Sequence, residues 1–564
     1  MKTNFTYLIC LVLNFALQSD AQPLKYTVGS YASIYDDQAV GIIGETQQSV
    51  LERVLLVDKL KMLSVNQFAT AYAVAYYDKI SLQRTAVKEY PVLKAAGIVK
   101  PEKAYLVNEV LNGDTLILFY QHENKETDKD GLYAWKLNAM TLEPLTPEAS
   151  LLEEIGSRRS DGNSSFSVTF PSSKFIFVSY TKYSKDENAS KISVKKYATS
   201  LQLQAETDHS VKGIKYGIGV RTTLYTKDDD LILLIAYSKN KNFSITDPLY
   251  FTVVGNSSSS QTEVEVENGY AVNCDIILTK AGRLLAVGNY TQIEELKNEK
   301  DIFRAGSYVN ELDPFDLDII STQEDEFTTD QKMNLYPTSN NPNNPNRNRS
   351  FQANILSTVD LIQDYENDAV ILITASNVKV TTTSSTGSIG SSRTSYKSGS
   401  VAVTYVDKDA KIAWQKVLPR AAYISGLSNG VYPTVVQNSG KVYVIFNDVD
   451  KNVDAFKETL KGKTKSKNRK EESSAVERFE MEGDPTVEVY VWNLSNTLYR
   501  ITELDALGTM VVTFIDPEKI NPEKKAPVLD TRLIERISEG NYILSCFEKS
   551  MLGPKNHALM RITF

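Results

Sequence analysis

Apolar residues along this chain fall in short runs separated by turns rich in Asp, Asn, Gly and Lys, and long helical periodicities are scarce. Short apolar runs bounded by turn residues predict strands. The greasiest are Leu116–Tyr120, Phe175–Tyr180, Leu231–Tyr237, Val370–Ala375 and Val442–Phe446. A strand with one wet face alternates, so a near-continuous apolar run implies burial on both faces. Each such run is the second in a cycle of four strand candidates. One cycle reads Phe166–Phe170, Lys174–Thr181, Lys191–Tyr197 and Leu201–Glu206; the next reads Gly217–Tyr225, Leu231–Tyr237, Leu249–Val254 and Thr262–Val266.

The cycle repeats. A strand, a turn of the form Tyr/Leu-Asp/Asn-x-x-Leu and a second strand return roughly every 60 residues. Tyr133-Ala-Trp135-Lys-Leu137-Asn138 with Leu142, and Tyr490-Val-Trp492-Asn-Leu494-Ser495 with Leu498, read as copies of one phase. With the end of the third strand as marker, the phase falls at Tyr77, Leu137, Tyr197, Val254, Leu312, Val406, Leu494 and the C-terminal His557–Phe564. Small sheets in series can bury two-sided strands by stacking on one another about an axis. The pattern therefore predicts an all-β fold, a β-propeller of about eight four-stranded blades, with seven as the alternative. The last repeat lacks a fourth strand that Lys25–Tyr35 would supply, so the N- and C-terminal strands are expected to close one blade and remove an open edge. Long solvated loops are expected at about 323–350, 381–398 and 457–484, around Pro337–Arg349, Thr381–Ser398 and Lys457–Lys470.

Lys2, an apolar run from Phe5 to Leu17 and small residues at Ser19-Asp20-Ala21 have the anatomy of a signal peptide over 1–21, leaving 22–564 as one propeller domain. The run is shorter than the roughly 20 residues of a spanning helix, and no later segment is long and apolar enough to be one. Export to the periplasm, the outer membrane or the exterior is the expectation. A net charge of −8 spread over 564 residues argues against a general nucleic-acid grip. Beyond residue 21 only Cys274 and Cys546 remain, which leaves a disulfide and two buried thiols both open. The competing architecture is an outer-membrane β-barrel, suggested by the alternating end Ala558–Phe564. Barrel strands, however, alternate apolar and polar over about ten residues, and the strongest runs here do not.

Candidate chemistry is sparse. His122, His209 and His557 are isolated, and neither a paired-cysteine motif nor a phosphate-binding glycine loop is present. Gly426-Leu-Ser428-Asn-Gly430 matches a nucleophile elbow, but it leads into the strand-like Val431–Val436 where that chemistry needs a helix. Asp448, Asp450, Asn452 and Asp454 alternate oxygen ligands as calcium loops do, without the glycine and glutamate of the full motif. An acidic turn is the plainer reading, and calcium is the one cofactor the residues suggest. First strands of the cycles should line the central channel, which places Arg53, Glu109, Arg221, Asp275 and Arg532 there as candidate ligand contacts. The same charges could pair among themselves and simply hold the channel together.

Ile412-Ala-Trp414-Gln-Lys416-Val-Leu-Pro419-Arg420, followed by Tyr443–Asp448 and Lys451-Asn452, resembles a group of uncharacterised exported proteins from Bacteroidota-type bacteria. The likeness is sharpest from about Ser400 to Asn452, and Ala558–Phe564 fits the same group. It implies a propeller-like protein of the envelope or exterior and brings no catalytic residues with it. The expected function is a non-enzymatic binding or scaffolding module whose partner is an envelope protein or a glycan of unspecified identity. A carbohydrate-active or other hydrolytic propeller using channel carboxylates is the alternative.

Overall fold

The structure, a computed structural model, describes the chain from Lys25 to Phe564. Its larger undescribed stretches are 34–49, 91–103, 157–165, 237–248, 336–355, 462–475 and 548–555. The signal segment 1–21, Pro337–Arg349 and Gly426–Gly430 therefore lie outside the described residues. Eight antiparallel sheets of four or five strands follow one another along the chain. Their first strands are Val50–Leu56, Ala104–Asn112, Ser167–Ser172, Gly219–Tyr225, the broken pair Tyr270–Ala271 and Asp275–Leu278, Leu356–Asp364, Thr434–Asn438 and Val528–Ser538. Sheets one to eight are numbered in that order.

The contacts between sheets are those of a β-propeller. First strands touch in series from sheet two through sheet eight, and the first strand of sheet eight touches that of sheet one. Lys25–Val28 pairs antiparallel with Asn556–Thr563, so the two ends of the chain share sheet eight. A barrel would need one continuous sheet, and the strands are divided among eight. Among the described residues no helix is long and apolar enough to cross a membrane.

Two-sided second strands are explained by which neighbour each face meets. In sheet five, Leu284 and Ala286 cluster with Phe251 of sheet four, while Leu285 and Val287 cluster with Val370 and Leu372 of sheet six. In sheet six the alternate residues Ile371 and Ile373 face Val442, Val444 and Phe446 of sheet seven. Ile445 then faces Leu544 and Met560 of sheet eight. A period of two thus distributes one strand between two neighbours. Each fully buried side chain contributes about 1.5–3 kcal/mol of transfer free energy, which the sheet would forfeit without its neighbours.

The repeated turn also has a physical cause. It joins third to fourth strands, and it contains a residue at positive φ: Leu82 (57°), Leu201 (73°), Leu317 (64°), Ala410 (59°) and Gly508 (76°). Leu82 and Leu317 are fully buried there. The acidic residue opening the turn caps it. Asp407 Oδ1 accepts the amides of Asp409 and Lys411, both at 2.9 Å, and Asp505 Oδ1 accepts those of Leu507 and Thr509 at 2.9 and 2.8 Å.

Four expectations need correction. Tyr490–Leu494 is not a third strand: Trp492 makes a lone parallel bridge to Ala422, and the third strand of sheet seven is Thr497–Leu504. Trp135 lies in a true third strand, so the two tryptophans do not share a phase. The Thr/Ser/Gly stretch 381–398 is no loop but the far end of a hairpin, with Ala369–Thr386 paired to Ile389–Val406. Its β-branched residues suit strands, and composition alone concealed that. The two remaining segments also contain regular elements. Helix α1 (Thr329–Leu335) lies within 323–350, while the end of helix α2 (Asp450–Lys461) and the outer strand Val476–Met481 fall within 457–484. Cys274 and Cys546 are both buried free thiols, so no disulfide joins them.

Candidate functional site

Paired against the second strand, six of the eight first strands share one irregularity, whereas sheet seven pairs without a break and sheet three shifts register over Phe170 and Pro171. In sheet one Leu51 pairs Asn66 and Arg53 pairs Val65, leaving Glu52 unopposed. Val107 of sheet two, Arg221 of sheet four and Val359 of sheet six are skipped in the same way. Sheet five breaks over Val272–Cys274 and resumes with Asp275 opposite Val287. Sheet eight skips Thr531, Arg532 and Leu533 before Ile534 meets Leu544. Arg53, Asn108, Thr222, Asp275, Asp360 and Ile534 consequently hold comparable positions, the first to resume pairing after the irregularity and opposite the fourth or fifth residue of the strand that follows. Bulges re-aim side chains and recur beside functional sites. Here they form a repeated collar where the first strands of neighbouring sheets meet.

Part of that collar is structural. Asn108 Nδ2 donates to Val168 O of sheet three at 2.6 Å, and Asn273 Nδ2 donates to Leu356 O of sheet six at 2.6 Å. The aspartates behave differently. Asp275 Oδ1 accepts the amide of Ile276 at 3.0 Å and Asp360 Oδ1 that of Leu361 at 2.9 Å, which fixes both carboxylates at their roots. Asp360 is exposed to water, yet protein crowds it closely enough to disfavour its charge. That crowding pushes its carboxyl above the usual aspartate range, and the negative charge of Asp275 adds to the effect against the pull of the Leu361 amide. Two coupled carboxylates on adjacent first strands can hold a cation, accept from several hydroxyls, or divide a proton between them.

The other sequence-derived candidates are placed less favourably. Glu109 is buried behind Asn108, whose Oδ1 takes its amide at 2.9 Å. Arg53 sits at the equivalent position of sheet one, Arg221 is the bulge residue of sheet four, and Arg532 lies in the excursion of sheet eight; their side chains are outside the described structure. Asp448, Asp450, Asn452 and Asp454 do not form a turn. Asp448 lies in the strand Lys441–Val449, and the other three begin α2. Asp448 pairs with Arg500 at 3.1 Å and accepts from Asn452, whose amide also clamps the backbone of Tyr490. Among the described residues no group of three or more His, Cys, Asp or Glu side chains is disposed to hold a metal ion.

Sequence reasoning missed Asn108, Asp360 and the buried pair Arg420 and Arg500. For Asp360 a signal existed: like Arg53-Val-Leu-Leu and Asp275-Ile-Ile-Leu, Asp360-Leu-Ile sets a polar residue before the apolar half of a first strand, whereas Asn108 is followed by Glu109 and lacks it. For the arginines there was none, because an Arg beside Pro419 or Tyr499 reads as surface.

No family model matches the chain, and no curated protein matches it. Among solved structures it is similar to a protein of unknown function from Dyadobacter fermentans, at 9% identity over 61% of this chain and 89% of that one, with a TM-score of 0.31. It is also similar to the β-propeller domain of the Trilobed protease from Pyrococcus furiosus, at 10% identity over 71% and 90% with a TM-score of 0.31. A third is the GH93 α-L-arabinofuranosidase of Fusarium graminearum, at 10% identity over 62% and 93% with a TM-score of 0.30. Superpositions this loose transfer no chemistry. The assignment of fold rests on the sheet order and inter-sheet contacts of this chain itself.

Proposed function

We propose that the eight sheets are eight blades about one axis and that the protein is an exported binding or scaffolding module of a bacterial cell envelope. The observation that carries this reading is the collar of bulged first strands. It presents Asp275 and Asp360 to water on a rigid frame while Asn108 and Asn273 tie the collar together. Rigid carboxylates whose roots are fixed suit recognition of a polyhydroxyl or cationic group, since little order is lost on binding. An envelope glycan or a basic segment of an envelope protein has that chemistry. A panel of soluble glycans and cationic peptides, titrated against residues 22–564 and against the Asp275→Asn/Asp360→Asn double variant, tests it. Binding weakened at least about tenfold in the double variant is expected; a ligand held equally by both proteins would place recognition elsewhere.

The raised carboxyl of Asp360 beside Asp275 supports a second reading, glycoside hydrolysis, because that reaction uses a pair of carboxyl groups of which one holds its proton more tightly than usual. Release of reducing sugar that Asp360→Asn abolishes would select the hydrolase over the module.

A further inference from the structure

Arg420 and Arg500 are almost wholly inaccessible to water at the junction of sheets six and seven. Arg420 Nη1 donates to Ser398 Oγ at 2.6 Å and its Nη2 donates to Val431 O. Arg500 Nη2 donates to Pro419 O at 2.6 Å. Both guanidiniums lie over Phe446, at 4.9 and 4.2 Å from its ring centre, and Arg500 also approaches Phe456 and Phe514. Among the described residues the one carboxylate serving them is Asp448. Its Oδ2 is 3.1 Å from Arg500 Nη1, but too misaligned for a hydrogen bond. Among the described residues two positive charges thus face one negative charge, and Nε of each arginine is buried with no acceptor.

Such an imbalance is costly in a dry interior unless something compensates it. Asp484 lines the same small depression as Arg500, but it is already engaged by Lys416 at 2.9 Å and by Gln331 at 3.0 Å. The depression is otherwise walled by Asn334, Phe456, Met481, Val487 and Met510, with room for about one water-sized occupant. A water would satisfy an N–H without balancing the charge. Burial, with the charge of Arg500 adding and Asp448 opposing, pushes Arg420 down to about 9, and burial lowers Arg500 as well against the pull of Asp448; guanidiniums nonetheless keep their proton in proteins.

We propose that a single halide-sized anion binds in this depression against Arg500, accepts its free N–H, and neutralises the Arg420–Arg500–Asp448 group as a structural counter-ion. The test is thermal unfolding of the full chain in sodium bromide against sodium gluconate at equal ionic strength. The melting temperature should rise saturably with bromide, by about 2 °C at a hundredfold excess over Kd for a chain of this length, and Arg500→Met should abolish the difference. Should that variant not fold, bromide soaked into crystals of the unaltered protein decides the matter. An anomalous peak within hydrogen-bonding distance of Arg500 Nε supports the site. Identical melting in the two salts, or crystals with no bromide at Arg500, overturns it.

Discussion

Asn447 should hold sheets seven and eight together through two hydrogen bonds that imitate a strand pairing. It is 1% exposed; its Nδ2 donates to Leu529 O at 2.9 Å and its Oδ1 accepts from Leu529 N at 3.0 Å. Asn447→Leu keeps the volume and removes both partners, leaving one buried amide and one buried carbonyl unpaired. Each costs about 1–3 kcal/mol, and the added apolar burial returns about 1.5–3 kcal/mol, so the net loss should be about 2 kcal/mol. A chain of 564 residues need not unfold in two states, so native-state hydrogen exchange is the appropriate assay. Amides of Val528–Ser538 other than Leu529 should exchange about thirtyfold faster, while those of sheets two to five keep their rates. Asn310→Leu is the matched control, because Asn310 clamps Glu265 in the same way at 3.1 and 3.2 Å between sheets four and five. Its acceleration should appear at that junction instead. Exchange unchanged by Asn447→Leu, or quickened evenly across the molecule, would refute the clamp.

Asp360→Asn retains the oxygen that accepts from Leu361 and removes an unfavourable charge. Because the folded carboxyl is raised, the gain in stability should be full above the folded value and vanish as pH falls below the unfolded aspartate value near 3.9; urea midpoints across pH 3 to 7 read it. Ala410→Gly should stabilise by about 0.5–1 kcal/mol in urea unfolding, since Ala410 occupies the left-handed conformation that Gly508 adopts in the next sheet. Gly508→Ala should do the reverse, with its new Cβ about 3.1–3.3 Å from the Trp414 ring. Glu311 is held below its ordinary value by bidentate hydrogen bonds from Arg283 at 2.7 and 2.9 Å. That contribution is present above the unfolded glutamate value and lost as pH falls through the lowered one, so Arg283→Met should lower stability most at pH 7 and less as the pH falls, the pH-independent remainder reporting the lost bond to Lys408 O.

What could be read from the residues was whatever burial dictates locally. The two-sided run Val370–Ala375 announces neighbours on both faces, and the pairing of Lys25–Val28 with the C-terminal strand follows from a repeat left one strand short. The buried leucine after the Asp/Asn turn carries the repeat because Leu82 and Leu317 pin their turns from within. Sheet seven escaped because α2 and Val476–Met481 intervene between its second and third strands, so Tyr490–Trp492 imitates a strand at the expected distance. Helix α2 was hidden by its acidic start, although Val453, Phe456 and Leu460 mark an apolar face that the core receives. No periodicity could reveal the bulges, since a skipped residue alters pairing while leaving composition untouched.

That last point bears on function. A first strand running straight would send alternate side chains into its two neighbouring sheets, as the second strands do, and would leave nothing polar at the centre. Skipping one residue reverses the alternation halfway along, so the apolar half, as in Ile276–Leu278, can pack while the residue just before it turns away from the core. Equivalent positions then become free to differ: Asn108 bonds to the next sheet, Ile534 remains apolar, and Asp275 and Asp360 meet water as neighbours. Variation of that kind on a constant backbone is what the proposed recognition surface would use. It also explains why the acids concentrate between sheets five and six, where the strand of sheet five is broken outright and Asn273 takes over the bond to Leu356.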